Sequence, residues 1–242
     1  MPMRVQPTPY CGPAPLPGEL WQSWNFDPTL LIALAVFGVL LAWGAQSRVA
    51  AAVGWGALVV AFVSPLCALT VALFSARAAH HLLLVTVAAP ALALAWPLMR
   101  QMPAALSLAV LSAAMVAWNL PRVYDAVWIS DVVYWGMQAA MLLPAWVFWS
   151  AVLAPNGPAE DMMRRALLTG GLAGIMGLIG AVLTFAPQPL FFQHIEGAAL
   201  WGVSPLSDQQ LAGLVMWVPG FVPVAILTAL MLRRVWRQGF AA

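Results

Sequence analysis

Long apolar runs, separated by short polar breaks, dominate this chain. Seven of them have a length suited to α-helices that cross the hydrocarbon core of a bilayer, at 28–45, 49–69, 76–98, 104–119, 131–153, 165–185 and 208–233. The pattern therefore predicts an all-α, polytopic membrane protein of seven transmembrane helices. Most connections are short. Two are longer and rich in Pro, Trp and polar residues, at 121–130 and 186–207. Residues 1–27 are Pro-rich and contain no apolar core of the kind a cleaved signal needs, so they read as an extended tail. Residues 28–233 then form the membrane domain and 234–242 a second tail. In the sixth run Gly170, Gly174, Gly177 and Ala181 share a face, a spacing that lets helix backbones approach closely. Ser64-Pro-Leu66 and Ser204-Pro-Leu206 match, but so short a match in an apolar chain is no internal repeat.

Composition changes the picture only by confirming the solvent. Of the 242 residues 63% are hydrophobic and 7% charged, and the mean hydropathy is +0.89. A soluble domain carries about 25% charged residues, so this surface is matched to lipid. There is no lysine, which excludes a retinal pigment linked through a Schiff base. Nor is there a basic surface interleaved with aromatics for nucleic acid. The arginines set an orientation. Arg48, Arg100, Arg164, Arg165, Arg233, Arg234 and Arg237 fall on one side of the seven spans, and Arg4, Arg77 and Arg122 on the other. By the positive-inside rule the first side is cytoplasmic, with the N-terminus outside and the C-terminus inside. The expected location is the inner membrane of a bacterium. Cys11, Cys67, His80, His81 and His194 then all lie toward the outer face.

The chemistry available to such a chain is sparse. Arg77 and His81 are four residues apart and share a helix face, and ionisable groups at membrane depth usually meet a partner or a cavity. His80 points about 100° away from His81. The pair reads either as interfacial side chains bonded to carbonyls or as a source of one metal ligand. Cys11 and Cys67 read as a disulfide in an oxidising compartment, as thiolates for copper(I), or as unpaired thiols. Asp131, Tyr134 and Gln138, with Met137 and Met141 nearby, form a polar stripe on the fifth span, either an internal network or a binding site. Ser207 and Gln210 have the spacing of a capping box, which leaves Asp208 and Gln209 unexplained. Met216 lies about two turns deeper, as a packing side chain or a thioether for copper. No phosphate loop, zinc-protease helix or nucleophile elbow occurs, so no enzyme is predicted. The histidines do not lie on two facing helices, which argues against haem.

Several stretches resemble the seven-helix CtaG family of cytochrome c oxidase assembly factors. They are Trp24-Asn-Phe-Asp-Pro28, Ser64-Pro-Leu-Cys-Ala-Leu69, Phe74-Ser-Ala-Arg-Ala-Ala-His-His-Leu-Leu-Leu84 and Ala89-Pro90. The most specific are Trp201-Gly-Val-Ser-Pro-Leu206 and Asp208-Gln-Gln-Leu-Ala-Gly-Leu-Val-Met-Trp-Val-Pro-Gly220. The resemblance implies an assembly factor for a haem-copper terminal oxidase, with the oxidase subunits and the lipid bilayer as partners and copper as the metal handled. It places His81, Asp208, Met216 and Trp217 at family motif positions. Two departures stand out: Arg77-Ala78 occupies the place of a His-Met pair, and Gln138 lies near the place of a histidine. The alternative is a permanent accessory subunit of the oxidase with no metal of its own. The candidate metal ligands are therefore His81, His80, Cys67, Cys11 and Met216, supported by Arg77, Gln138, Asp208, Gln209 and Trp217.

Overall fold

The computed structural model describes residues 9–154 and 158–239; Arg4 and the last residues of the C-tail lie outside them. It is 79% helix, with no strand among the described residues. Ten helices form it: α1 (Pro28–Gly44), α2 (Arg48–Phe62), α3 (Leu66–Ala72), α4 (Phe74–Ala95), α5 (Ala104–Trp118), α6 (Pro121–Asp125), α7 (Asp131–Val152), α8 (Ala159–Phe185), α9 (Ile195–Leu200) and α10 (Pro205–Arg237). Every predicted apolar run is largely helical, the second being broken at residues 63–65 between α2 and α3. Four of the helices, α4, α7, α8 and α10, are long and apolar enough to cross a membrane. Two bent pairs raise that number to six if each is one span: α2 with α3, bent by 44°, and α5 with Pro121–Trp128, bent by 79°. The structure thus supports four to six crossings where seven were expected. The difference rests on α1, whose 17 residues extend about 26 Å, short of the ~30 Å core, and on whether each bent pair is one span.

The helix starts follow local chemistry. Asp27 caps α1 by accepting from the Thr29 amide at 2.8 Å, with Pro28 preset for the first turn. Ser47 and Ser130 cap α2 and α7 in the same way. On α10 the expected capping box is displaced. The helix starts one turn earlier, and Ser204 is the cap, accepting from the Ser207 amide at 3.1 Å. Asp208 therefore lies within the helix, free to reach another element.

α4 is the most enclosed of the long helices. It packs against α2, α3, α7 and α10, while α8 packs along α10. Both α4 and α10 widen into a π turn, at Leu83–Ala88 and at Met216–Phe221. Proline explains both. Pro90 follows the first turn and Pro219 lies in the second; each lacks an N–H and crowds the carbonyl four residues earlier. A side chain fills part of the deficit, because the Trp149 indole donates to the Val85 carbonyl at 2.8 Å. The second π turn meets α4 and α8 at Gly220, where an added Cβ would lie 2.8 Å from Leu82 and from Met176. This close contact fixes the depth of α10 beside α4, and with it the position of every side chain one to two turns above.

Candidate functional site

The polar residues singled out in the sequence converge at one end of the bundle, above the two π turns. Asp208, 1% exposed, reaches from α10 to the start of α4. Its carboxylate accepts from the Phe74 amide at 2.6 Å and the Ser75 amide at 3.1 Å, and from the Ser75 hydroxyl. The residue before α4 is Leu73, which offers no side-chain cap. Asp208 supplies that cap from another helix and places negative charge at the positive end of α4. Gln209 does a related task. Its Oε1 accepts from the Leu190 amide at 2.6 Å, and its Nε2 approaches the carbonyls of Leu183 and Gln188 at 3.4 Å. Adjacent residues of the family motif thus hold α4 and the 186–190 loop to the same helix. Trp217, partly exposed, meets Phe185 edge-on.

Arg77 lies one turn into α4 and is 3% exposed. Its Nε makes a long 3.4 Å bond to the Thr70 carbonyl, and its guanidinium sits 5.1 Å from the Tyr124 ring and 6.0 Å from the Trp128 ring. Aromatic faces therefore take the place of a carboxylate partner. Tyr124 in turn bonds His194 Nε2 at 2.7 Å. The His194 ring packs against Phe74 and Trp128, and Phe74 stacks on Phe191. Burial, aided by the Arg77 charge, pushes the His194 imidazole down to about 3, against a weaker pull from the carbonyls of Ala72 and Val71. It is a neutral ring at any physiological pH.

His80 and His81 are both buried, with ring centroids 5.9 Å apart. His80 meets Phe62 edge-on. Among the described residues, the Nε2 atoms of both rings and Gln138 Oε1 are buried without a hydrogen-bond partner. Buried polar groups are normally satisfied, so these atoms are where a ligand or a partner's side chain would have most to gain.

Cys11 and Cys67 form a disulfide, with Cα atoms 5.4 Å apart. Of the three readings open in the sequence the structure selects the bond. It removes both sulfurs as thiolate ligands, a correction to their place among the metal candidates. Tyr134 Oη lies 3.4 Å from Cys11 Sγ, and Asn25 donates toward Cys67 Sγ at 3.8 Å. Tyr10 stacks on Tyr134 and donates to Asp27 at 2.7 Å, and the Trp201 indole donates to the Pro15 carbonyl. The described part of the tail, from residue 9 on, is therefore laid across the bundle end rather than extended. Met216 also departs from the ligand reading. It opens the π turn of α10 and packs in the main apolar core with Leu82, Met176 and Met141.

No group of three or more His, Cys, Asp or Glu side chains suited to a metal occurs among the described residues. A resident copper ion does not fit this donor set, which keeps only the imidazoles of His80 and His81. The residues that sequence reasoning passed over are Tyr124, Trp128, Phe191 and His194. All lie in the two long connections, where the density of aromatic residues was the available signal.

A bundle of apolar helices with a buried polar cluster at one end, enclosed by a disulfide-bonded tail and two loops, defines a polytopic membrane protein. The chain belongs to the cytochrome c oxidase caa3 assembly factor family (Caa3_CtaG), whose model matches residues 102–238, more than half of it. No curated protein and no solved structure matches. The matched region holds Gln138, Asp208, Gln209 and the aromatic loops. It leaves Arg77, His80, His81 and both cysteines outside.

Proposed function

We propose that this protein assists the assembly of a haem-copper terminal oxidase as a non-catalytic factor. The family match carries the reading, because its region includes the motif whose Asp208 and Gln209 hold the polar cluster together. The cluster faces the outer side and the C-terminus the cytoplasm. The arginine asymmetry supports that orientation, as does a disulfide at the opposite end from Arg48 and Arg100, since such bonds persist in oxidising compartments. Copper is cargo in this reading rather than a resident cofactor, and the open Nε2 atoms of His80 and His81 are the donors that would meet it. The thin donor set is the one observation favouring the second reading, a permanent accessory subunit.

Copper per haem in the purified oxidase, measured in strains lacking this chain or carrying His81→Ala, separates the two. The assembly reading expects a ratio well below wild type in both strains. Leu178→Ala, a change on an exposed face of α8, should leave it unchanged. Normal copper and oxygen consumption in the deletion strain would remove the assembly reading. Copurification of this chain in stoichiometric amount with a copper-replete oxidase would establish the accessory subunit instead.

A further inference from the structure

At the end of the bundle away from the disulfide, a groove of about 630 Å³ runs between α1 and α2. Leu41, Ala52 and Trp55 are among the side chains that line it, and Arg48 is its only charged residue. The Trp55 indole already donates to the Leu34 carbonyl at 2.8 Å, so it offers the groove no free donor. Trp55 can lie so close because the residue beneath it is Gly38; a Cβ there would come within 2.8 Å of the indole nitrogen. On the other side of the α1–α2 turn lies a second cavity of about 690 Å³, lined by Gln46, Trp96, Arg100 and Gln101 among others. The turn between them is fastened to the end of α4 by the Gln46 amide, which donates to the Ala95 carbonyl at 2.7 Å.

Charge in this region has one sign. The sequence contains no acidic residue between Asp27 and Asp125, the stretch that forms both cavities. Arg48 and Arg100 therefore flank the turn without a carboxylate from any of the helices around it. A groove that is apolar along its length and cationic at one end matches an amphiphile with an acyl chain and an anionic head. An acidic peptide would satisfy the arginines but leave the apolar walls uncovered. A zwitterionic lipid would bring an ammonium group for which there is no acid.

We propose that the α1–α2 groove binds one acyl chain of an anionic phospholipid, with its phosphate against Arg48 and within the field of Arg100. The site is separate from the polar cluster and does not depend on the assembly reading. The test uses the full-length protein, delipidated in detergent and offered equal amounts of phosphatidylglycerol and phosphatidylcholine with identical acyl chains, with retained lipid measured by native mass spectrometry. Wild type should retain the anionic lipid in preference, by about fivefold per arginine engaged. Arg48→Gln and Arg100→Gln should each lower the ratio by about fivefold, and the double substitution should bring it near unity. Ala52→Trp, which fills the exposed groove, should reduce retention of both lipids, whereas Arg234→Gln should change nothing. Equal retention of the two lipids by wild type overturns the proposal. So does an unchanged preference in both Arg48→Gln and Arg100→Gln, or displacement of the lipid by millimolar inorganic phosphate alone, which would mark an ion site without a chain.

Discussion

Asp208 begins near the start of one helix and completes the start of another, and this is why it is buried without needing a cation. Its charge is met by the two amides and the hydroxyl at the head of α4. Arg77, one turn further on, is the opposite case, a buried cation held mainly by aromatic rings. Its field acts on His194 in the same direction as burial. The consequence for stability has a definite sign. The folded imidazole titrates near 3, against an ordinary value of 6.5, so on acidification the unfolded chain takes up the proton first. The contribution of His194 is fully present above pH ~6.5 and is lost as the pH falls toward 3, amounting to about 2 kcal/mol by pH 5. Thermal unfolding in detergent at pH 7.5 and pH 5 should show a smaller drop for His194→Asn than for wild type. Equal drops would mean that this ring is already protonated, or accessible, in the folded protein.

At the scale of elements, the decisive contact is the approach of α8 to α10. Gly170 and Gly177 of the predicted small-residue stripe do face α10, beside Thr228 and Phe221, but Gly174 faces nothing within 4 Å. The closest crossing is at Gly180 and Gly213. A Cβ on Gly180 would lie 2.8 Å from the Gly213 carbonyl, and one on Gly213 would run into Thr184 and the Gly180 carbonyl. Gly213→Ala should therefore force the helices apart and cost about 1–3 kcal/mol. Gly174→Ala should be neutral or stabilising by up to ~1 kcal/mol, since it removes only a helix-weakening glycine. Opposite shifts in unfolding temperature would confirm the crossing; a tolerated Gly213→Ala would refute it. The contrast also shows what a sequence can carry. Apolar runs are legible because lipid acts on each residue separately, and six of the seven are each mainly one helix, the second being split into α2 and α3. Which glycine touches its neighbour depends on the registry of two helices, set here by Gly220 of α10 against Met176 of α8. The aromatic enclosure of Arg77 was illegible for a similar reason: Tyr124 and His194 are 70 residues apart and come from segments that read only as connectors.

The whole molecule has two unlike ends. One carries the disulfide, the folded-back tail, every histidine and exposed aromatic residues at Trp21, Trp24 and Phe26. The other carries Arg48 and Arg100 with exposed Trp43, and Trp236 lies exposed near the end of α10. Aromatic side chains at both rims are where the boundaries between lipid and water place them. The disulfide and the arginines are separate features, one chemical and one electrostatic, and both support the proposed orientation with the first end outside. Single cysteines placed in a background with Cys11 and Cys67 replaced by serine provide the check, using exposed positions at each end. Gln22→Cys, next to the exposed Trp21, should react with a membrane-impermeant thiol reagent in intact cells. Gln101→Cys, between α4 and α5, should react only after the membrane is opened. The reverse pattern would invert the protein, placing the open nitrogens of His80 and His81 on the reducing side and removing the route by which they would meet an oxidase from outside.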